Sequence, residues 1–456
     1  MVLIDGNACS FACRALPAQL GDPLFNSRQC LSANRPDGKE QHLTLRDANN
    51  EPMSLNMSDA SHLMHTYNRL PVKFTRGEGC WLFDAQGKRY LDALCGISVT
   101  NLGHCHPAVT HTIMQQANTL LHTSNLYHIP AQEELADQLC GVSNMDRVFF
   151  SNSGAEANEA AIKLARLHAH NNGNSQPIIV TFEGSFHGRT LATIAATGNE
   201  GIRRGFGPVL PGFVHLPLND IAAAEALFAQ HTTIAAVLIE PVQGEGGIHA
   251  ADPAFLKKLE QLCCTQGALL MLDEVQSGNG RCGNYFAYQN LDGTEFALQP
   301  DVVTTAKGLG NGIPIGACLA RGEAASVMAP GKHGSTFGGN PFASKVGSTV
   351  VQTIMDDHLP ARALKMGQHM HSAFSVALAT MQGVRDIRHS GLMLGIELDR
   401  PCAELMAMGL EQGIIINVTA GSVVRLLPPL VMSDRECNQV VEQVSALIVD
   451  YLSKND

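Results

Sequence analysis

The chain has 456 residues, 45% of them hydrophobic and only 16% charged, with a net charge of -11. That length supports a large core and two or three domains. The acidic balance argues against nucleic acid as a partner, and no apolar run is long enough to span a membrane. A charged fraction below the usual quarter suggests that much surface is covered, as between subunits. The thirteen cysteines are odd in number and scattered, with no C-x-x-C pair. They read as free, mostly core-packing thiols in a reducing compartment. The amino terminus lacks a basic start and an apolar run, so the cytoplasm is the expected location.

Residues 1 to about 60 are polar and weakly periodic, and read as a loose extension. Met53, Met57 and Met64 stand near its end, so the true start is expected to lie downstream of Met1. Order begins near Pro71, with a strand, turn and strand over 80–92. After His106 and Pro107, the spacing of Val109, Ile113, Ala117, Leu120 and Leu121 predicts one helix face. Strands follow at 147–150, 178–182, 235–239, 269–272, 302–305 and 315–319, with helices at 155–168 and 253–265 among them. Alternation of this kind predicts a mostly parallel sheet covered by helices on both faces. Past residue 340 the pattern changes to long helices at 340–356 and 360–380, strands at 392–398, 414–418 and 423–427, and a final helix at 434–447. That predicts a smaller α+β domain, to which the strands before His104 can add. No internal repeats are present.

Two apolar runs end in chemistry. L-L-M-L-D-E-V-Q closes on Asp273, and D-V-V-T-T-A-K-G-L-G leads into Lys307. An acid and an amine at the carboxyl ends of buried strands stand where open α/β sheets build their sites. The pairing suits a lysine-bound cofactor with a protonated ring nitrogen, as in pyridoxal phosphate, although a solvated lysine and a helix cap are the plainer alternatives. After the strand R-V-F-F comes S-N-S-G-A-E-A-N, which places Ser153, Gly154 and Ala155 at a helix amino end. Either ordinary capping or phosphate binding accounts for that run. G-L-G-N-G at 308–312 lacks dinucleotide-fingerprint spacing and reads as a turn beside Lys307. His104 and His106 in G-H-C-H-P lack the carboxylates of a metal shell.

Seven stretches then occur in order: G-H-C-H-P, F-F-S-N-S-G-A-E-A-N-E-A-A-I-K-L-A-R, F-H-G-R-T-L, E-P-V-Q-G-E-G-G, D-E-V-Q-S-G-N-G-R, A-K-G-L-G-N-G-I-P-I-G and H-G-S-T-F-G-G-N-P. From Pro71 to the carboxyl terminus the chain resembles the class III aminotransferases, and within them the acetylornithine branch. The resemblance implies the fold-type I architecture, with a large domain built on a mostly parallel seven-stranded sheet and a smaller α+β domain. It implies a polar extension over 1–65, a first part of the small domain over 66–105, a large cofactor-binding domain over 106–345, and a linking helix with the rest of the small domain over 346–456.

The resemblance also implies roles. Lys307 would carry pyridoxal 5'-phosphate covalently and shuttle the substrate proton. Asp273 would keep the pyridine nitrogen protonated. Gln276 would reach the ring 3-oxygen, with Val275 and Phe186 against the two ring faces. Ser153, Gly154 and Ala155 would hold the phosphate, and Thr336 would reach the phosphate of the neighbouring subunit, which implies a homodimer with shared sites. Arg189 would bind the substrate α-carboxylate, and Arg425 the second carboxylate of glutamate. Glu245 would pair with Arg425 when the other donor is bound. Ornithine δ-aminotransferases carry a tyrosine where Ile97 stands in A-L-C-G-I-S-V-T-N-L-G-H, and the apolar Ile97 favours a donor whose α-amine is acylated. The implied reaction moves the terminal amine of N2-acetylornithine to 2-oxoglutarate. Succinylornithine and N-succinyl-diaminopimelate are close alternatives; ornithine, 4-aminobutyrate and a non-catalytic binding protein are remoter ones.

Overall fold

The computed structural model describes residues 62–291, 294–295 and 298–454, together with a short antiparallel pairing of Leu45–Arg46 with Pro52–Met53. Apart from that pairing, residues 1–61, Met57 among them, lie outside the described residues. The chain divides into two units, one up to Arg69 and one from Leu70 onward. All that follows concerns the second.

Its large domain is built on seven strands. In chain order these are β1 (Arg147–Ser151), β2 (Ile178–Phe182), β3 (Phe213–Leu216), β4 (Ile234–Ile239), β5 (Leu269–Asp273), β6 (Val302–Thr305) and β7 (Gly316–Ala320). The order across the sheet is β1-β7-β6-β5-β4-β2-β3. Only β7 runs against the rest. Both faces are buried, which is why the central strands read as unbroken apolar runs. Ile179, Ala236, Leu238, Met271 and Val302 point to one face and meet Ala160, Ala161, Ile162, Leu164 and Ala165 of α1 (Gly154–Asn171). Their neighbours Val180, Val237, Ile239, Leu270, Leu272 and Val303 point to the other face and join the main core.

The small domain has two four-stranded sheets. One joins Val384–Ser390, Met393–Leu398, Val423–Leu426 and Asn417–Thr419. In the other, Ile414–Ile415 lies parallel to Arg89–Asp92, which continues through Trp81–Asp84 to Phe74–Glu78. The strands before His104 therefore pair with the carboxyl-terminal part of the chain. The single strand expected over 414–418 is two, broken at Ile416, because its halves serve different sheets.

Other expectations shift for local reasons. The helix after His106 is Pro107–Ala117 and ends before Leu120 and Leu121, which are 47% and 55% exposed. Asn118 Nδ2 and Thr119 Oγ1 donate to the carbonyls of Met114 and Gln115, and such back-bonding competes with helix propagation. The last helix is longer than expected, Asp434–Lys454. Helix Pro130–Ser143 and strands Phe74–Glu78, β3 and Val384–Ser390 are not anticipated by the sequence reading. The strands among them are short or interrupted by polar residues, so period-two patterning is weak. Among the described residues no helix is long and apolar enough to cross a membrane, and all ten described cysteines are free.

Candidate active site

Six strands share one direction, so their carboxyl ends gather along one edge of the sheet. There β1 delivers Ser153, β2 delivers Phe186 and His187, β4 delivers Glu240, β5 ends on Asp273, and β6 leads to Lys307. These residues line one cavity of about 410 Å³. The antiparallel β7 starts at the same edge, which brings Ile313 and Ile315 to its wall.

Lys307 follows Ala306 by a sharp change of path and has a positive φ of 47°. A non-glycine residue in that region is uncommon and held by its surroundings. Burial pushes the Lys307 amine below its ordinary pKa, with Arg425 acting the same way against the attraction of Glu245, Asp273 and Glu240. A desolvated amine of this kind is the chemistry a Schiff-base lysine requires.

Asp273 is 3% exposed and held by three donors. Its Oδ2 accepts from Asn158 Nδ2 at 2.7 Å and from His187 Nδ1 at 2.8 Å, and its Oδ1 accepts from the Val275 N–H at 3.1 Å. Asn158 is itself fixed by the Thr304 hydroxyl, which donates to Asn158 Oδ1 at 2.7 Å. With Nδ1 donating to the carboxylate, buried His187 Nε2 is left without a partner among the described residues. Asn158, His187, Thr304 and Glu240 are not singled out by the sequence reading. Each carried a signal: Asn158 is polar among the core-facing alanines of α1, His187 lies inside F-H-G-R, Thr304 lies in the apolar strand leading to Lys307, and Glu240 ends an apolar strand as Asp273 does. Glu240 accepts from the Phe186 N–H at 2.9 Å and the Gly244 N–H at 3.3 Å. Burial drives its carboxyl well above the usual range, Asp273 adding to this and His187 opposing it.

The anion-binding end lies at the start of α1. Ser153 is the N-cap, and its Oγ accepts from the Glu156 N–H at 3.2 Å. Gly154 and Ala155 follow, where backbone N–H groups have no intrahelical acceptor and the helix dipole is positive. A Cβ on Gly154 would stand 2.6 Å from Val275 Cγ1, so the glycine is what lets α1 approach the loop after Asp273.

Phe186 and Val275 both line the cavity, and the Arg189 guanidinium lies 5.7 Å from the centre of the Phe186 ring. Arg189 is exposed at the mouth and has no carboxylate partner among the described residues. Arg425 lies off the cavity walls and 1% exposed. It pairs with Glu245 at 2.6 Å, and its Nη1 also donates to Gln276 Oε1 at 3.3 Å, while Asn417 Oδ1 accepts from Nε and Nη2. Burial alone would raise the Glu245 carboxyl, but Arg425, with help from Lys307, holds it below its ordinary value. Gln276 thus links the cavity to the ion pair. Ile97 also stands off the cavity walls, packed against a cluster that includes Val242 and Ile248, which flank the segment carrying Glu245. Thr336 is exposed and off the walls, in a turn tied to Asn152 through Ser335. His104 is paired with Asp92 at 2.8 Å rather than grouped with His106.

The chemistry of this donor set fits a planar, phosphate-bearing cofactor with a ring nitrogen and an aldehyde: an anion cradle, a buried acid, two apolar walls and a desolvated amine converge on one cavity. The family model for class III aminotransferases matches residues 63–448. The chain is a class III aminotransferase. This aminotransferase is 51% identical over 392 residues to the acetylornithine aminotransferase of Nitrosomonas europaea, spanning 86% of this chain and 98% of that one. It is 44% identical to the acetylornithine aminotransferase of Aquifex aeolicus, over 85% of this chain and all of the relative. Among solved structures it is similar to the ornithine aminotransferase of Toxoplasma gondii, at a TM-score of 0.82 and 30% identity over 86% of this chain and 94% of that one. The N-acetylornithine aminotransferase of Stenotrophomonas maltophilia matches at 0.74 and 33%, over 86% and 98%. Class III aminotransferases depend on pyridoxal phosphate, and so does this one.

Proposed function

We propose that the enzyme transfers the terminal amino group of N2-acetylornithine to 2-oxoglutarate, giving N-acetylglutamate 5-semialdehyde and glutamate by ping-pong kinetics. The observation that carries this reading is the pairing of buried Arg425 with half-buried Glu245 beside Gln276. One site must accept a dicarboxylate in one half-reaction and a donor without that second carboxylate in the other. An arginine already neutralised by a displaceable glutamate meets both demands: closed, it suits the acylated diamine; opened, it binds the far carboxylate of glutamate. The names of the relatives at 51% and 44% identity support acetylornithine as the donor. So does Ile97, whose apolar side chain gives a free α-amine nothing to bond.

When bound, pyridoxal phosphate would supply an electron sink for the carbon that gives up its proton. Ser153, Gly154 and Ala155 would hold its phosphate, Asp273 would pair with its ring nitrogen, Gln276 would serve its 3-oxygen, and Phe186 and Val275 would wall it in. Lys307 Nζ takes the proton from the carbon that bears the transferred amine; its lowered pKa leaves it able to act as a base. Arg189 fixes the substrate α-carboxylate at the mouth. His187 and Asn158 keep Asp273 aimed into the cavity. The exposed Thr336 serves the phosphate site of a second copy. The apolar Leu120, Leu121, Leu126, Tyr127 and Phe337, all exposed in the single chain, supply a surface for that homodimer.

The test is kcat/KM for acetylornithine, succinylornithine, succinyl-diaminopimelate, ornithine and 4-aminobutyrate, each with 2-oxoglutarate. Acetylornithine is expected to lead; ornithine ahead of its acyl derivatives overturns the reading. In Arg425→Ala the glutamate half-reaction should fall about a hundredfold, ~2.7 kcal/mol, with a smaller loss for acetylornithine. Equal losses rule out the switch. At the phosphate end, Gly154→Ala overpacks against Val275 by roughly 1–3 kcal/mol. It should weaken cofactor binding about tenfold or more, read by equilibrium dialysis of pyridoxal phosphate, and an unchanged affinity refutes that placement.

A further inference from the structure

Arg281 closes the D-E-V-Q-S-G-N-G-R stretch, and none of the roles above uses it. It is among the largest fully buried side chains, with 0% exposure, and has no carboxylate partner among the described residues. Its guanidinium has five N–H donors, and five neutral acceptors surround it. Nε donates to Ser98 Oγ at 3.1 Å. Nη1 donates to the carbonyls of Leu392, at 3.3 Å, and Pro428. Nη2 donates to Asn101 Oδ1 at 2.6 Å and to Cys95 Sγ at 3.4 Å. A buried cation without a counter-charge is costly, so its contacts must be supporting something.

What they support is the turn at 95–98. Cys95, Gly96, Ile97 and Ser98 have φ of 42°, 68°, 68° and 61°, four consecutive residues in the left-handed region. Such a run is strained at each non-glycine residue, and a β-branched side chain is a marked outlier there. Asp92 Oδ1 secures the entry by accepting from the N–H groups of Leu94 and Cys95. Arg281 secures the exit at Ser98 and Asn101. From there two chains reach the active site. The Ser98 hydroxyl donates to the Gln276 carbonyl at 3.2 Å. Asn101 Nδ2 donates to the Asn279 carbonyl, and Asn279 Nδ2 to Thr305 Oγ1 and the Ala306 carbonyl, one residue before Lys307.

We propose that Arg281 is a positioning residue for donor selection: it holds the strained turn that carries Ile97 and leads into cavity-lining Val99, and through Ser98 it fixes the Gln276 backbone. The proposal rests on the acylated-diamine reading above. In Arg281→Lys one ammonium cannot span Ser98, Asn101 and two small-domain carbonyls, so the turn relaxes and Ile97 moves.

The experiment compares wild type, Arg281→Lys and Ser98→Ala as holoenzymes. Its readouts are the acetylornithine to ornithine ratio of kcat/KM and amide hydrogen exchange at Ile97, Ser98 and Gln276. The ratio is expected to fall about tenfold or more in Arg281→Lys, and in the same direction but less in Ser98→Ala, with faster exchange at those amides. An unchanged ratio, even with a lowered melting temperature, makes Arg281 a purely structural residue and overturns the proposal. Should Arg281→Lys not fold, Ser98→Ala decides alone, and an unchanged ratio there overturns it too. Should wild type show no preference for acetylornithine, the functional reading has failed separately; hydrogen exchange then decides whether Arg281 holds the turn, unchanged exchange counting against it.

Discussion

Lys307→Ala is expected to reduce transamination by about 10⁴-fold or more and to remove the near-ultraviolet to visible absorbance band of the bound cofactor. The expected loss combines an anchor with a base, since general-base catalysis alone is worth roughly 10²–10⁴-fold. No neighbour can substitute. Arg189 and Arg425 are too basic to accept a proton, and Glu245 is occupied by Arg425. The fold should survive, because the amine is a liability to it. With the folded-state pKa of Lys307 below its unfolded value, the charged amine opposes folding at neutral pH. That penalty disappears as the pH rises toward the unfolded value near 10. The variant without cofactor should therefore unfold at the same or higher denaturant concentration than wild type at pH 7, and should gain less than wild type on going alkaline. Retained activity, or a cofactor band that persists, would sink the assignment.

Asp273→Ala should cut kcat by about a thousandfold, ~4 kcal/mol, because nothing else in the cavity can hold a proton on the ring nitrogen. Glu240 is the nearest rival, but its burial favours the neutral form and its oxygens are engaged by the Phe186 and Gly244 N–H groups. The same change strands the donors of His187 and Asn158, each costing roughly 1–3 kcal/mol when left buried and unpaired. Asp273→Asn separates the two effects. It keeps a carbonyl oxygen for those donors and removes the charge, so it should recover the stability and not the kcat. A kcat near wild type in Asp273→Asn would show that the charge is not what matters.

Much of this molecule was legible before its coordinates. The central strands fell within a residue of their observed limits because a strand buried on both faces must be apolar throughout, and β2 and β6 illustrate that. Asp273 and Lys307 stood out because a charged residue closing such a run is costly unless it has work to do. The edge strand β3, with a histidine inside four residues, offered no such contrast. Nor did Leu120 and Leu121 betray that side chains at 118 and 119 end their helix early.

The order of the strands, and hence which loops meet, was beyond the sequence. A period of two says which face a residue takes and nothing about its neighbour across the sheet. Only the packed structure brings Asn158 of α1, His187 after β2 and Thr304 of β6 together around one carboxylate. Only there does Arg425, remote in the chain, close on Glu245. The left-handed turn at Ile97 and the hold of Arg281 on it are likewise tertiary. No local propensity would choose that backbone; Asp92 holds its entry and Arg281, from a distant segment, bonds Cys95 and Ser98 within it. The sequence by itself determined the family and with it the class of chemistry, and it singled out Lys307 and Asp273, because those signals are written in contiguous residues. The tertiary structure decided which donors surround Asp273, that Arg425 meets Glu245 and that Arg281 contacts the turn at 95–98, because each depends on groups that meet only when the chain has folded.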